Sequence, residues 1–184
     1  KNQLLDLLPN NAAAVAALSF ENFASYQREY ETLLRQLNRS DKLLLLKDQG
    51  QRYKAYTSWV DTEFGLALLE NPGSDWAKSS VGLIKFRDKR LAEEALGSVA
   101  QPDVVEYDDF LIRKIEKSAF QIVFGRIFKA MGTCYYTTYR DYVVIAPDML
   151  IIKQFLNDNR GGRTLNDDPT FASLREELSN KSHV

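Results

Sequence analysis

LIKFRDKRLAEEAL (83–96) and VVIAPDMLIIKQFL (143–156) align without a gap, so that Asp88 falls on Asp148, Leu91 on Ile151 and Leu96 on Leu156. Each stretch opens on apolar residues suited to a strand. It then passes an Asp that can cap a helix by accepting a hydrogen bond from a free backbone amide, and it continues with apolar residues at helical spacing. Another apolar run and a Ser-initiated helix lie upstream of each copy. The chain therefore reads as two diverged strand-helix-strand-strand-helix halves, about 10–100 and 103–160, followed by a C-terminal helix over 168–179. This order predicts an α+β fold, a largely antiparallel sheet with packed helices, in a single domain taken to be part of a longer protein.

In the first half, Leu4 to Leu8 is an apolar lead-in closed by Pro9, and Ala12 to Leu18 is the first strand. Ser19 is expected to cap a helix whose apolar stripe is Phe20, Phe23, Tyr30, Leu33, Leu34 and Leu37. A second helical stretch is expected from Ser40-Asp41 through Leu43 to Val60. Phe64 to Glu70 and Ser79 to Phe86 read as a hairpin around a Pro-Gly loop, with Asp88 capping a helix over Lys89 to Val99 and Gln101-Pro102 ending the unit.

The second half begins with Val104 to Ile115, interrupted by Asp108-Asp109 as a turn or a bulge. Ser118 and Gln121 have capping-box spacing, ahead of a stripe of Phe120, Val123, Phe124, Ile127 and Phe128. Cys134 to Tyr139 and Tyr142 to Ala146 form a tight hairpin around Arg140-Asp141, Asp148 caps a helix to Leu156, and Gly161-Gly162 stop it. Asp168-Pro169 starts the last helix, with Phe171, Leu174 and Leu178 on one face.

Composition narrows the function classes. The 184 residues are 45% hydrophobic and 27% charged, with a net charge of -1. That balance argues against nucleic-acid binding, which needs a basic surface to displace counterions from phosphates. No apolar run approaches the roughly 18 residues of a membrane helix. The single cysteine, Cys134, excludes an internal disulfide and a cysteine-based zinc cluster, and the single histidine, His183, lies one residue from the end of the sequence. Neither a phosphate-binding loop nor a dinucleotide fingerprint occurs. No cofactor or metal is expected.

The tail, from the Cys134 hairpin through Asp148 and the Gly161-Gly162 loop into RTLNDDPTFASLREELSNKS (163–182), resembles a family of uncharacterised bacterial exported proteins carrying a domain of unknown function. In that family a strand and a helix precede a segment of the form "sL-d-F--l". The lead-in LLPNNAAAVAALSFENF (7–23) is similar to the family's start, a Leu-Pro motif before the first strand and helix. The resemblance touches about half of the chain. It implies an extracytoplasmic domain, periplasmic or at the cell surface, tethered by an N-terminal membrane anchor outside these residues. It implies no catalytic residue.

The candidate binding residues are Tyr135, Tyr139 and Tyr142 of the hairpin, Trp76 of the first hairpin loop, and Arg160 and Arg163 around the glycine pair. With a two-residue turn, Tyr135, Thr137, Tyr139, Tyr142 and Val144 share one face, and Cys134, Tyr136, Val143 and Ile145 the other. Tyrosines joining apolar area to a polar tip suit a partner surface, although helices covering them is the plainer reading. Two guanidiniums beside glycine amides suit an anion, while arginines near a helix end and a glycine stop are also ordinary helix chemistry. The pairs Asp108-Asp109 and Asp167-Asp168 read as turn and cap residues before acid and base. Cys134, with no base nearby, reads as a small buried hydrophobe.

The function expected from this sequence is a non-enzymatic binding or scaffold domain of an exported bacterial protein, with an unknown protein or small ligand as its partner. The alternatives are a carboxylate-dependent hydrolase whose aspartates converge across the halves, and a cytoplasmic regulatory protein.

Overall fold

The computed structural model describes residues 3–39, 57–70, 78–115, 120, 124, 128, 133–171 and 173. Seven strands form one sheet: β1 (Ala12–Ser19), β2 (Val60–Leu69), β3 (Ser80–Phe86), β4 (Ala100–Tyr107), β5 (Phe110–Ile115), β6 (Cys134–Tyr139) and β7 (Tyr142–Ala146). Among the described residues three α-helices can be followed from end to end: α1 (Phe23–Gln36), α2 (Lys89–Gly97) and α3 (Met149–Arg160). The strand order is β1-β2-β3-β7-β6-β5-β4, and every neighbouring pair is antiparallel. The fold is α+β, as the periodicities require.

Alternation along the strands divides the core into two layers. Ile84, Phe86, Val143, Ile145, Cys134 and Tyr136 pack on one face with Phe23 of α1, Ala92 and Leu96 of α2, and the helical residues Phe120, Phe124 and Phe128. Val81, Leu83, Tyr142, Val144 and Ala146 pack on the other with Ile152, Phe155 and Leu156 of α3 and with Leu4 and Leu7 of a 3-10 turn, Leu4–Leu7. Leu4 and Leu8 are fully buried. Each contributes about 1.5–3 kcal/mol through the apolar surface it removes from water, so the lead-in is part of the body of the fold.

Both aspartates at the aligned positions cap. Asp88 Oδ1 accepts from the Leu91 amide at 3.1 Å and Asp148 Oδ1 from the Leu150 amide at 2.9 Å. The described elements run β1-α1-β2-β3-α2 and then β4-β5, the helical Phe120 and Phe124, and β6-β7-α3. The packing of the last helix differs between the two. Here α2 lies on the face of α1, and α3 lies on the opposite face. Leu83 pairs with Val144 and Ile84 with Val143, so the aligned Leu83 and Val143 point to opposite sides of the sheet. A twofold rotation that exchanged antiparallel neighbours would keep each side chain on its face, and the two halves are not related in that way.

Several boundaries move. Ser19 is the last residue of β1, paired with Glu63, and the Phe20 amide donates to the Thr62 carbonyl, which keeps the chain extended until Asn22. Asn22 is the cap of α1, accepting from the Ser25 amide at 2.9 Å. On α1, Phe23 and Leu34 are buried and Tyr26 packs against the core, whereas Leu33 and Leu37 are exposed; Leu37 is the C-cap, past the last helical residue. Val60 opens β2 and ends no helix. Gln101 and Pro102 belong to β4, an edge strand where a proline without an amide hydrogen is tolerated. Asp108-Asp109 is a two-residue hairpin turn between the paired Tyr107 and Phe110. The Leu43 stretch, the Pro-Gly loop, the Ser118–Gln121 box and the residues after 173 lie outside the described residues, although Asp168 does accept from the Thr170 amide to start a helix.

Candidate functional site

The tyrosine hairpin has the expected two faces, and α3 covers the tyrosine side. Tyr142 is buried, Tyr135 and Tyr139 are half-buried, and the Tyr139 ring meets Phe155 of α3 edge-on at 5.7 Å. The Tyr142 hydroxyl donates to Glu63 Oε1, with Lys85 Nζ 3.8 Å from the same oxygen and itself donating to Gln3 Oε1 at 3.0 Å. Burial and the Glu63 carboxylate push the Tyr142 phenol above its ordinary range. This cluster ties the N-terminal turn to the sheet.

The two arginines are engaged within the fold. Arg160 pairs with Asp108 and, at 3.7 Å, with Asp109, while its guanidinium stacks 5.3 Å from the Phe110 ring centroid. Arg163 Nε donates to Asp158 Oδ1 at 2.9 Å. The guanidiniums therefore latch the β4-β5 turn and the end of α3. Asp167 accepts from the Thr164 amide and hydroxyl, and Asp168 caps. Cys134 is buried, and burial pushes its thiol up to about 12, far from the thiolate a nucleophile needs. Trp76 lies outside the described residues.

A different place collects unsatisfied chemistry. β5 pairs with β6 from Arg113 to Ile115, opposite Tyr136 to Cys134, and among the described residues the ladder does not continue past Arg113. Beside the end of the ladder lies a groove of about 360 Å³ lined by Leu111, Arg113, Tyr136, Thr138, Glu93 and Lys89, with Gly97, Asp109, Phe110 and Thr137 completing it. Its size falls within the range of small-molecule sites, about 300–1,000 Å³. The Phe110 and Tyr139 rings, 5.8 Å apart, close it from the α3 side. The hairpin turn fixes the backbone register: Tyr139 and Tyr142 form the closing pair, so Thr137 bonds to β7 and Thr138 turns its amide and carbonyl towards β5, where none of the described residues is paired with it.

Two side chains of the groove lack partners. Tyr136 is 4% exposed and its hydroxyl makes no hydrogen bond among the described residues. Its phenol is pushed up to about 12, first by burial, with Arg113 pulling it down and Glu93 raising it. Tyr136, Arg113 and Glu93 all line the groove. Arg113, directly opposite, makes no ion pair among the described residues. Lys89 is held by Glu93 at 3.6 Å. No motif marks Arg113 or Tyr136 in the sequence; only the alternation of FLIRKI (110–115) and of the tyrosine hairpin could have put them on one face. Among the described residues no cluster of His, Cys, Asp or Glu is suited to a metal.

Compared with models of known families, with curated proteins and with solved structures, the chain matches none.

Proposed function

We propose that this chain is a non-enzymatic binding domain whose ligand site is the groove between β5, β6 and α2. The observation that carries the reading is the Arg113-Tyr136 pair: a guanidinium without an ion pair and a phenol without a hydrogen bond among the described residues, both side chains lining one groove. A guanidinium and a hydroxyl with open hydrogen-bonding capacity beside a cavity have a partner to gain from a ligand. Several carboxylates are engaged in structural work: Asp88 and Asp148 cap helices, Asp108 and Asp158 hold arginines, and Glu63 accepts from Tyr142. The test is a fragment screen by ligand-observed NMR on the chain and on Thr138→Trp, whose indole would fill the groove. Hits lost in the variant support the reading; hits equally bound by both proteins contradict it.

The location is a separate part of the proposal. That the domain works outside the cytoplasm, tethered by an N-terminal anchor, rests on the motif resemblance alone. Fractionation of cells expressing the full-length gene tests it: recovery in membranes with the domain open to external protease supports it, and recovery in the cytosol contradicts it.

A further inference from the structure

We infer that the groove takes a small molecule carrying a single carboxylate, held by the Arg113 guanidinium and the Tyr136 hydroxyl, with an apolar body lying against Leu111. The inference rests on the binding reading and names its ligand class. A guanidinium presents a planar fork that matches the two oxygens of a carboxylate, and a neutral phenol beside it donates a third hydrogen bond. Tyr136 remains protonated, and therefore a donor, across the physiological range. The Thr138 amide, turned towards β5 past the end of the ladder, is a further donor on the same wall.

Charge selects against dianions. The ionisable lining residues are Lys89, Arg113, Glu93 and Asp109. Lys89 is paired with Glu93, and Asp109 lies 3.7 Å from Arg160. Arg113 is the lining cation without an acidic partner among the described residues, so one negative charge is compensated and a second finds no unpaired cation in the lining. The apolar part of the ligand has its own support: Leu111 is 49% exposed beside the groove and Phe110 lies beneath it. An aromatic or branched aliphatic monocarboxylate fits both requirements.

The experiment titrates benzoate, its neutral counterpart benzamide, and inorganic phosphate into the isotope-labelled full chain, following the Arg113 Nε and the Tyr136 and Thr138 amides by NMR. Benzoate is expected to shift these signals saturably, with benzamide about tenfold weaker and phosphate weaker than benzoate. Arg113→Gln should bring benzoate down to the benzamide affinity. Tyr136→Phe should weaken it about fivefold. Glu93→Gln, on the exposed side of α2, should tighten it about twofold by removing a like charge, and it tests the electrostatics even where a sheet variant folds poorly. Equal binding of benzoate and benzamide in the groove would overturn the carboxylate assignment and leave the binding site standing, as would tighter binding of phosphate. Benzoate shifts confined to other residues and unchanged in Arg113→Gln would overturn both.

Discussion

Gly82 of β3 stands opposite Ile145 of β7, and the row continues across the sheet through Tyr136 and Arg113 to Val104. Along this row one face of the sheet passes from a crowded core to an open groove. At the crowded end, a Cβ on Gly82 would lie 2.6 Å from Phe128 Cε1 and 2.8 Å from Ile145 Cγ1. Phe128 and Ile145 are both fully buried. Gly82→Ala is therefore expected to cost about 1–3 kcal/mol through overpacking. Gly97, at the end of α2, meets nothing within 4 Å, so Gly97→Ala is expected to stabilise by about 0.5–1 kcal/mol through helix propensity. Urea denaturation of the two variants checks both signs.

The Glu63-Tyr142 bond makes a second prediction. Tyr142→Phe leaves a buried carboxylate with Lys85 at 3.8 Å as its remaining described partner, a loss of about 2–3 kcal/mol for a hydrogen bond to a charged group. Because the penalty comes from the stranded carboxylate, adding Glu63→Gln should recover part of it. A double-mutant cycle by chemical denaturation measures the coupling; fully additive effects would mean that the two side chains act independently.

Alkaline pH should destabilise the fold ahead of ordinary lysine titration. Cys134 rises from an ordinary 9.0 to about 12 in the folded chain and Tyr136 from 10.0 to about 12, while burial also raises Tyr142. Raised folded-state values mean that the unfolded chain loses these protons first. The stability they contribute is complete below pH 9 and is lost as pH rises towards 12. For Cys134 alone the loss is about 2 kcal/mol between pH 9 and 10.5. Thermal melts at stepped pH should show the decline, and Cys134→Ala should delay its onset by about one pH unit, to the range where Tyr136 takes over.

Much of the fold was legible because it is local. The β6-β7 hairpin follows from alternation around Arg140-Asp141, and the caps at Asp88 and Asp148 follow from a single acceptor before an apolar stripe. Ser19 misleads as a cap because β2 pairing holds β1 extended one residue past the apolar run. Gln101-Pro102 misleads as a unit boundary because an edge strand tolerates a proline. The tyrosine face was legible, yet whether α3 or a partner covers it depends on which side of the sheet α3 takes, a choice made by packing over the whole layer. Arg113 and the groove were not legible, because they arise where a long-range ladder ends and no local pattern encodes where it stops.

The end of the β5-β6 ladder at Arg113 is what makes a site possible, and amide hydrogen exchange measures it directly. Tyr136 and Thr138 both turn their amides towards β5, but Tyr136 alone has a paired residue there. The account predicts a Tyr136 amide protected to the level of the sheet core and a Thr138 amide that exchanges at least about a hundredfold faster through an opening that needs no unfolding. Equal protection of the two amides would mean that the ladder runs on to the end of β6 and that there is no groove for a ligand to enter.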